Sequence, residues 1–155
     1  MSQLSFFGFT GGASATANVD GGSRGNPGPA GYGVRIEHED GRVVELKDSV
    51  GIATNNVAEY HGLLAALRWA VAHAVSALHV RSDSELLVKQ MKGEFRVKNP
   101  GLQPLYEEAR SLARQIGRVK FEHVRRELNK DADRLANEAM DAATLHQGKH
   151  VEGKG

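Results

Sequence analysis

The sequence predicts an α/β fold: a five-stranded mixed sheet, three antiparallel strands followed by two parallel ones, flanked by helices. Three observations predict it. Short period-two runs broken by Gly, Pro and Asp fill the first third of the chain, a helical period takes over at Asn55, and two later strand-like runs alternate with helical segments. Strands joined by tight turns pair antiparallel, whereas strands joined through a helix lie parallel, so the order βββαβααβα calls for a mixed sheet covered by helices.

The first strand centres on Ala17-Asn18-Val19-Asp20 and runs into a Gly/Pro loop over residues 21–31 (GGSRGNPGPAG). Tyr32–Glu37 is the second strand, Glu39-Asp40-Gly41 a tight turn, and Arg42–Val50 the third strand. Val57, Tyr60, Leu64, Leu67 and Val71 then recur at three- and four-residue spacing, which predicts a helix from Asn55 to near Val75 capped by Thr54 or Asn55. Ala77–Arg81 is the fourth strand, and Ser82 with Glu85 has capping-box spacing for a short helix. Asn99-Pro100-Gly101 interrupts the chain before a helix over Leu102–Ile116, with Leu105, Ala109, Leu112 and Ile116 on one face. Val119–Val124 is the fifth strand, and a last helix from about Lys130 to Ala143 carries Leu135, Ala136 and Met140. Residues 1–14, with Leu4, Phe6, Phe7 and Phe9, and the polar residues 144–155 read as tails, which leaves 15–143 as one domain.

Composition narrows the function classes. A chain of 155 residues suits one domain, at roughly 100–200 residues per domain. Twenty basic against 19 acidic residues leave a net charge of +1, so no large basic surface marks a nucleic-acid or membrane-surface binder. The charge is unevenly spread: residues 81–130 hold twelve basic and seven acidic residues, and the segments on either side are net acidic. The absence of cysteine excludes disulfides, thiolate metal sites and cysteine nucleophiles, and suits the cytoplasm. With no apolar run of membrane-spanning length, no membrane partner is expected.

The Gly-rich segment invites a phosphate-cradling reading, but Gly22, Gly25 and Gly28 are three apart and a strand follows where a dinucleotide site needs a helix. The acids point elsewhere. Asp20 ends the first strand, Glu59 lies early in the long helix in phase with Leu63, Ala66 and Ala70, Asp83 follows the fourth strand, and Asp133 opens the last helix. Each alone could cap a helix or complement its dipole. Together, at one edge of a sheet, they would repel one another unless cations were present. An all-oxygen donor set favours Mg²⁺ or Mn²⁺, and paired ions of this kind serve phosphodiester hydrolysis.

These residues carry a resemblance to type 1 ribonuclease H. Asp20-Gly21-Gly22-Ser23-Arg24-Gly25-Asn26-Pro27-Gly28-Pro29 resembles the family's first motif, Thr54-Asn55-Asn56-Val57-Ala58-Glu59-Tyr60 its TNN…E motif, Ser82-Asp83-Ser84 its third and Ala132-Asp133-Arg134-Leu135-Ala136-Asn137 its last. The resemblance implies a ribonuclease H-like fold and an endonuclease that cuts the RNA strand of RNA/DNA hybrids to 5′-phosphate and 3′-hydroxyl ends. It implies that Asp20, Glu59, Asp83 and Asp133 hold two Mg²⁺ ions, with Mn²⁺ as the substitute, one activating water and the other stabilising the leaving 3′ oxygen. Glu59, Asn55 and Ser84 match positions that sense the RNA 2′-hydroxyl, and Gly21, Gly22 and Ser23 belong to the same substrate edge. Asn26, Thr54 and Asn56 match positions that hold the DNA strand.

Two departures stand out. Where many members carry a loop His, this chain has His123-Val124-Arg125-Arg126-Glu127-Leu128-Asn129, similar to branches with a PREEN-like segment, so Arg126 takes that role and His123 belongs to the strand. The basic handle is missing as well: residues 90–104 offer only Lys92, Arg96 and Lys98 with Phe95, as in archaeal-type and some bacterial members. Asp131 competes with Asp133 as fourth ligand, and the following Arg-Leu-Ala-Asn favours Asp133. The expectation is a monomeric, cytoplasmic enzyme. A catalytically silent nucleic-acid-binding module, or a same-fold nuclease for double-stranded RNA or DNA junctions, is the alternative.

Overall fold

In a computed structural model, residues 13–154 are described, with side chains to residue 145. The N-terminal tail, apart from Ala13 and Ser14, lies outside the described residues. Five strands form one sheet: β1 (Ala13–Ser23), β2 (Gly28–His38), β3 (Val43–Ala53), β4 (Val75–Ser82) and β5 (Arg118–His123). Their spatial order is β3-β2-β1-β4-β5. β1 pairs antiparallel with β2, and β2 with β3; β1–β4 and β4–β5 are parallel, the mixture that the connection types predict.

The helices are α1 (Asn55–Ala72), α2 (Glu85–Met91), α3 (Gln103–Ile116) and α4 (Lys130–Lys154), with a 3₁₀ turn at Arg126–Leu128. Adjacent strand residues point to opposite faces. A Cβ on Gly21 would strike the α1 backbone at Ala58 and Glu59, and one on Gly22 would meet Met140 of α4, so α1 covers one face of the sheet and α4 the other. α3 packs outside α1. α1 is therefore buried on more than one side, and its buried set of Ala58, Tyr60, Leu63, Leu64, Ala66, Leu67 and Ala70 is wider than one stripe.

The sequence reading needs five corrections. The glycines of residues 21–31 do not form one long loop: Gly21–Ser23 extend β1 and Gly28–Gly31 begin β2, leaving only residues 24–27 between strands. Their role is contact, since Gly31 and Gly33 let the Ala139 and Ala132–Ala136 turns of α4 approach the sheet. Val71 is exposed, and α1 ends at Ala72, where His73 caps it through its N–H to the Trp69 and Val71 carbonyls. The Ser82–Glu85 capping box does not form. Ser82 is buried as the last residue of β4, and Ser84 is the cap, accepting from Leu87 N–H. Lastly, α4 continues past Ala143 to Lys154.

Candidate active site

Register brings the first two acids together. β1 and β4 are parallel, with Val19 opposite Ser82, so the next residues along, Asp20 and Asp83, sit side by side where β4 ends and β1 runs on to Ser23. Asp20 has the same parity as Gly22 and faces α4, whose first turn carries Asp133 within hydrogen-bonding reach of it. Glu59 arrives from the second turn of α1. Thr54 starts that helix by accepting from Val57 N–H at 3.2 Å, so its hydroxyl oxygen is partly committed to capping. Ser84 Oγ donates to Glu59 Oε1 at 3.1 Å while capping α2, which fixes Glu59 against the β4 end.

Burial and mutual repulsion raise three of the four acids. Burial, then the charge of Asp83, pushes Asp20 up to about 8, opposed by the Gly21 N–H that its Oδ1 accepts at 2.9 Å. Burial pushes Glu59 up to about 7; the Ser84 hydroxyl opposes this and Asp83 adds to it. Asp83 is raised by burial, opposed by Arg126, with Asp133 adding repulsion. Asp131 lies apart, facing Arg35 at 3.6 Å on the outer side of α4.

The remaining predicted site residues frame this cluster. Asn55 Oδ1 accepts from Ser23 N–H at 2.9 Å and from Ser23 Oγ at 3.2 Å, while Asn26 Oδ1 accepts from Asn55 N–H at 3.0 Å. The end of β1, the loop after it and the start of α1 are thereby locked together, and among the described residues the Asn55 amide nitrogen has no partner. Asn56 is exposed beside them. Arg126 stands in the 3₁₀ turn with Nε 3.9 Å from Asp83 Oδ2 and its side chain 84% exposed. His123 ends β5, and His79 pairs with Glu122 away from the acids. The sequence reading passed over Asn18 and Asn129, which bond one another beneath Asp20. A polar residue at a core-facing strand position was the signal.

Among the described residues no group of three or more His, Asp or Glu side chains is drawn tightly enough to hold a metal by protein ligands alone. The donor chemistry nevertheless fits a hard divalent cation, because half-buried, mutually repelling carboxylates with only oxygen donors gain most from one. Mg²⁺ typically takes one or two carboxylates and completes its shell with water and substrate phosphates, so a closed cage is not required. A cation held there would compete with protons at Asp20 and Glu59, both pushed above the ordinary carboxylate range. Divalent-cation affinity therefore rises as pH is raised from about 6 to about 9, with protons released on binding. Calorimetric titration of Mn²⁺ at the two ends of that range checks this, and equal affinity at both would refute it.

Comparison with known proteins agrees with this fold. The family described as "Reverse transcriptase-like" matches residues 18–139. Bifunctional protein Rv2228c of Mycobacterium tuberculosis is 53% identical over 127 residues, covering 81% of this chain and 35% of that protein. The solved N-terminal RNase H domain of that protein superposes with TM-score 0.84 at 49% identity, over 87% of this chain and 99% of the structure. Ribonuclease HI of Halobacterium salinarum is 43% identical over 128 residues, covering 82% of this chain and 64% of that protein. LC11-RNase H1, solved in complex with an RNA/DNA hybrid, superposes with TM-score 0.78 at 40% identity, over 84% and 99% of the two chains. The chain thus spans only about a third of the length of the mycobacterial relative, and its four acidic motifs lie within residues 18–139, the stretch that the family matches. On fold, acidic cluster and matched sequence alike, the chain belongs to the type 1 ribonuclease H family.

Proposed function

We propose that the chain is a divalent-metal-dependent endonuclease that hydrolyses the RNA strand of RNA/DNA hybrids to 5′-phosphate and 3′-hydroxyl ends, with residues 15–143 as the catalytic unit. The observation that carries this reading is the convergence of Asp20, Glu59, Asp83 and Asp133 beside the carboxyl end of β4, where burial and mutual repulsion raise the first three. The hybrid held by LC11-RNase H1 supports the substrate class.

In this reading the four carboxylates hold two Mg²⁺ ions, or Mn²⁺ in their place. Bound there, the ions would activate water for in-line attack and stabilise the leaving 3′ oxygen. The chain's own groups orient the substrate. Gly21, Gly22 and Ser23 line the approach to Asp20, the Asn55 amide and Ser84 stand beside Glu59 to sense the 2′-hydroxyl, and Asn26, Thr54 and Asn56 hold the DNA strand. Arg126, exposed and next to Asp83, is suited to meet a phosphate and to help product leave. A silent binding module would have no need to keep four half-buried acids close together at the cost of their repulsion. We assign the protein to the cytoplasm on its lack of cysteine, and treat it as a monomer.

The deciding experiment is cleavage of matched RNA/DNA, RNA/RNA and DNA/DNA duplexes with Mg²⁺, Mn²⁺ or chelator. Only the hybrid is cut, and chelator stops it; cutting in chelator, or equal cutting of the three duplexes, would overturn the proposal. Hybrid affinity also has a shallow salt dependence. The loop after α2 brings only Lys92, Arg96 and Lys98 with the exposed Phe95, so the log–log slope is no steeper than about −4, the value for roughly four or five phosphate contacts. Filter binding across a salt series measures it, and a slope near −8 would show a larger basic surface than this.

A further inference from the structure

α4 meets the sheet through a contact with little relief. Its buried residues are mostly alanines, with Leu135 and Met140, and beneath them the strands offer Gly22, Gly31 and Gly33. A Cβ added at any of the three would meet α4 between 2.5 and 3.3 Å. Burial of this kind is attractive but non-directional, so it holds the helix down without specifying its position along its own axis. The ion pairs from Arg134 to Glu45 and from Glu138 to Lys47 lie on the surface, where such pairs contribute little.

A buried, directional joint sits at the helix's N-terminus. Asn129 is 1% exposed. Its Nδ2 donates to the Val19 carbonyl at 2.9 Å, and its Oδ1 accepts from Asn18 Nδ2 at 2.9 Å. Asn18 Nδ2 also donates to the Leu128 carbonyl at 3.2 Å. The amide orientations follow from the partners, since the Val19 and Leu128 carbonyls can only accept and each must therefore face an NH₂ group. The Asn129 carbonyl accepts from Asp133 N–H at 3.0 Å, closing the first turn of α4, and its N–H donates to the Arg126 carbonyl at 2.9 Å. Val19 immediately precedes Asp20. Two hydrogen bonds through one buried residue thus run from the peptide before Asp20 to the peptide nitrogen of Asp133, with Arg126 tied to the same point.

We propose that Asn129 is a positioning residue that sets the separation of Asp20 and Asp133, and with it the cation site these two share. This rests on the carboxylate cluster being the metal site. Metal–ligand distances tolerate only about ±0.2 Å, so a helix free to slip along an alanine–glycine contact would spoil the site without unfolding. Aspartate cannot substitute, because a carboxylate has no proton to donate to the Val19 carbonyl.

The test uses the full chain and two readouts: Mn²⁺ binding by calorimetry, and kcat with KM for the hybrid. Asn129→Asp weakens Mn²⁺ binding by roughly 10- to 100-fold and lowers kcat, which recovers in part at high metal concentration, while KM for the hybrid stays within about twofold. Val75→Ala, buried at the opposite end of β4, is the control: it lowers Tm but binds Mn²⁺ like the parent. Should Asn129→Asp not fold, Asn18→Ser removes only the bond to Asn129 Oδ1 and the one to Leu128, and shifts Mn²⁺ affinity several-fold in the same direction. Folded variants that bind Mn²⁺ as the parent does, or a Val75→Ala loss as large as theirs, overturn the proposal. A parent chain that fails to bind Mn²⁺ overturns the carboxylate reading itself, a separate outcome.

Discussion

Asp20→Asn removes hybrid cleavage by at least roughly 10³-fold, the scale on which loss of one preorganised charge-stabilising group acts, and at the same time makes the cation-free protein more stable. Both effects come from one carboxyl. In the fold its pKa lies at about 8 against an ordinary value of 3.8, because burial and Asp83 disfavour the charge. A proton held more tightly by the folded than by the unfolded chain stabilises the fold at low pH. That contribution is complete below about 4 and is lost progressively as pH rises towards about 8. Asparagine carries no charge and escapes the loss. In chelator, the Tm of the parent therefore falls relative to that of Asp20→Asn between about pH 5 and about pH 8, by several degrees at the upper end. Saturating Mg²⁺ narrows or reverses the gap, since a ligand that binds only the native state stabilises by mass action and the variant lacks one of the four carboxylates proposed to hold it. Melting curves in chelator and in Mg²⁺, beside cleavage of a labelled hybrid, measure both halves. Retained cleavage, or an unchanged Tm difference across that pH range, would contradict the account.

Gly21→Ala is the largest expected effect on the fold. A Cβ there would lie 2.4 Å from the Ala58 carbonyl carbon and 2.6 Å from Glu59 N, both backbone atoms of α1 that cannot rotate away. Either α1 lifts from the sheet or β1 bends. Overpacking of this sort costs about 1–3 kcal/mol. Because the displaced turn carries Glu59, activity falls further than stability: a shift of about 1 Å in a positioned group can cost roughly 10²-fold. Urea unfolding gives the first quantity and kcat at a temperature where the variant is folded gives the second. Parent-like kcat would mean that Glu59 tolerates movement of α1.

The Gly21 position shows where the sequence was readable and where it misled. Punctuation by glycine and proline correctly marked a change of direction after Asp20, but every glycine from 21 to 31 looked like loop. Whether glycine serves a turn or a close approach depends on what packs against it, and the turns of α1 and α4 that pack there come from residues 58–62 and 132–140, far away in sequence. Val71 failed similarly. It continues the helical period of Val57, Tyr60, Leu64 and Leu67 but lies beyond the covered part of α1. Ser84 divided the other way: a capping signal was visible, yet the choice between Ser82 and Ser84 turned on where β4 ended.

The sequence by itself determined the order of elements and the parallel and antiparallel pairings, and it singled out the four acids proposed for the site, because these follow from local periodicity, from connection type and from motifs carried within short segments. Tertiary structure alone decided that Asp20 and Asp83 are neighbours through the Val19–Ser82 register, that Ser84 holds Glu59, and that Asn129 joins Val19 to Asp133. It also decided which carboxyls are pushed above their ordinary range, since burial and mutual repulsion are properties of groups brought together from separate stretches of chain. Contact between residues a hundred positions apart has no local signature, and the chemistry of this site is made of such contacts.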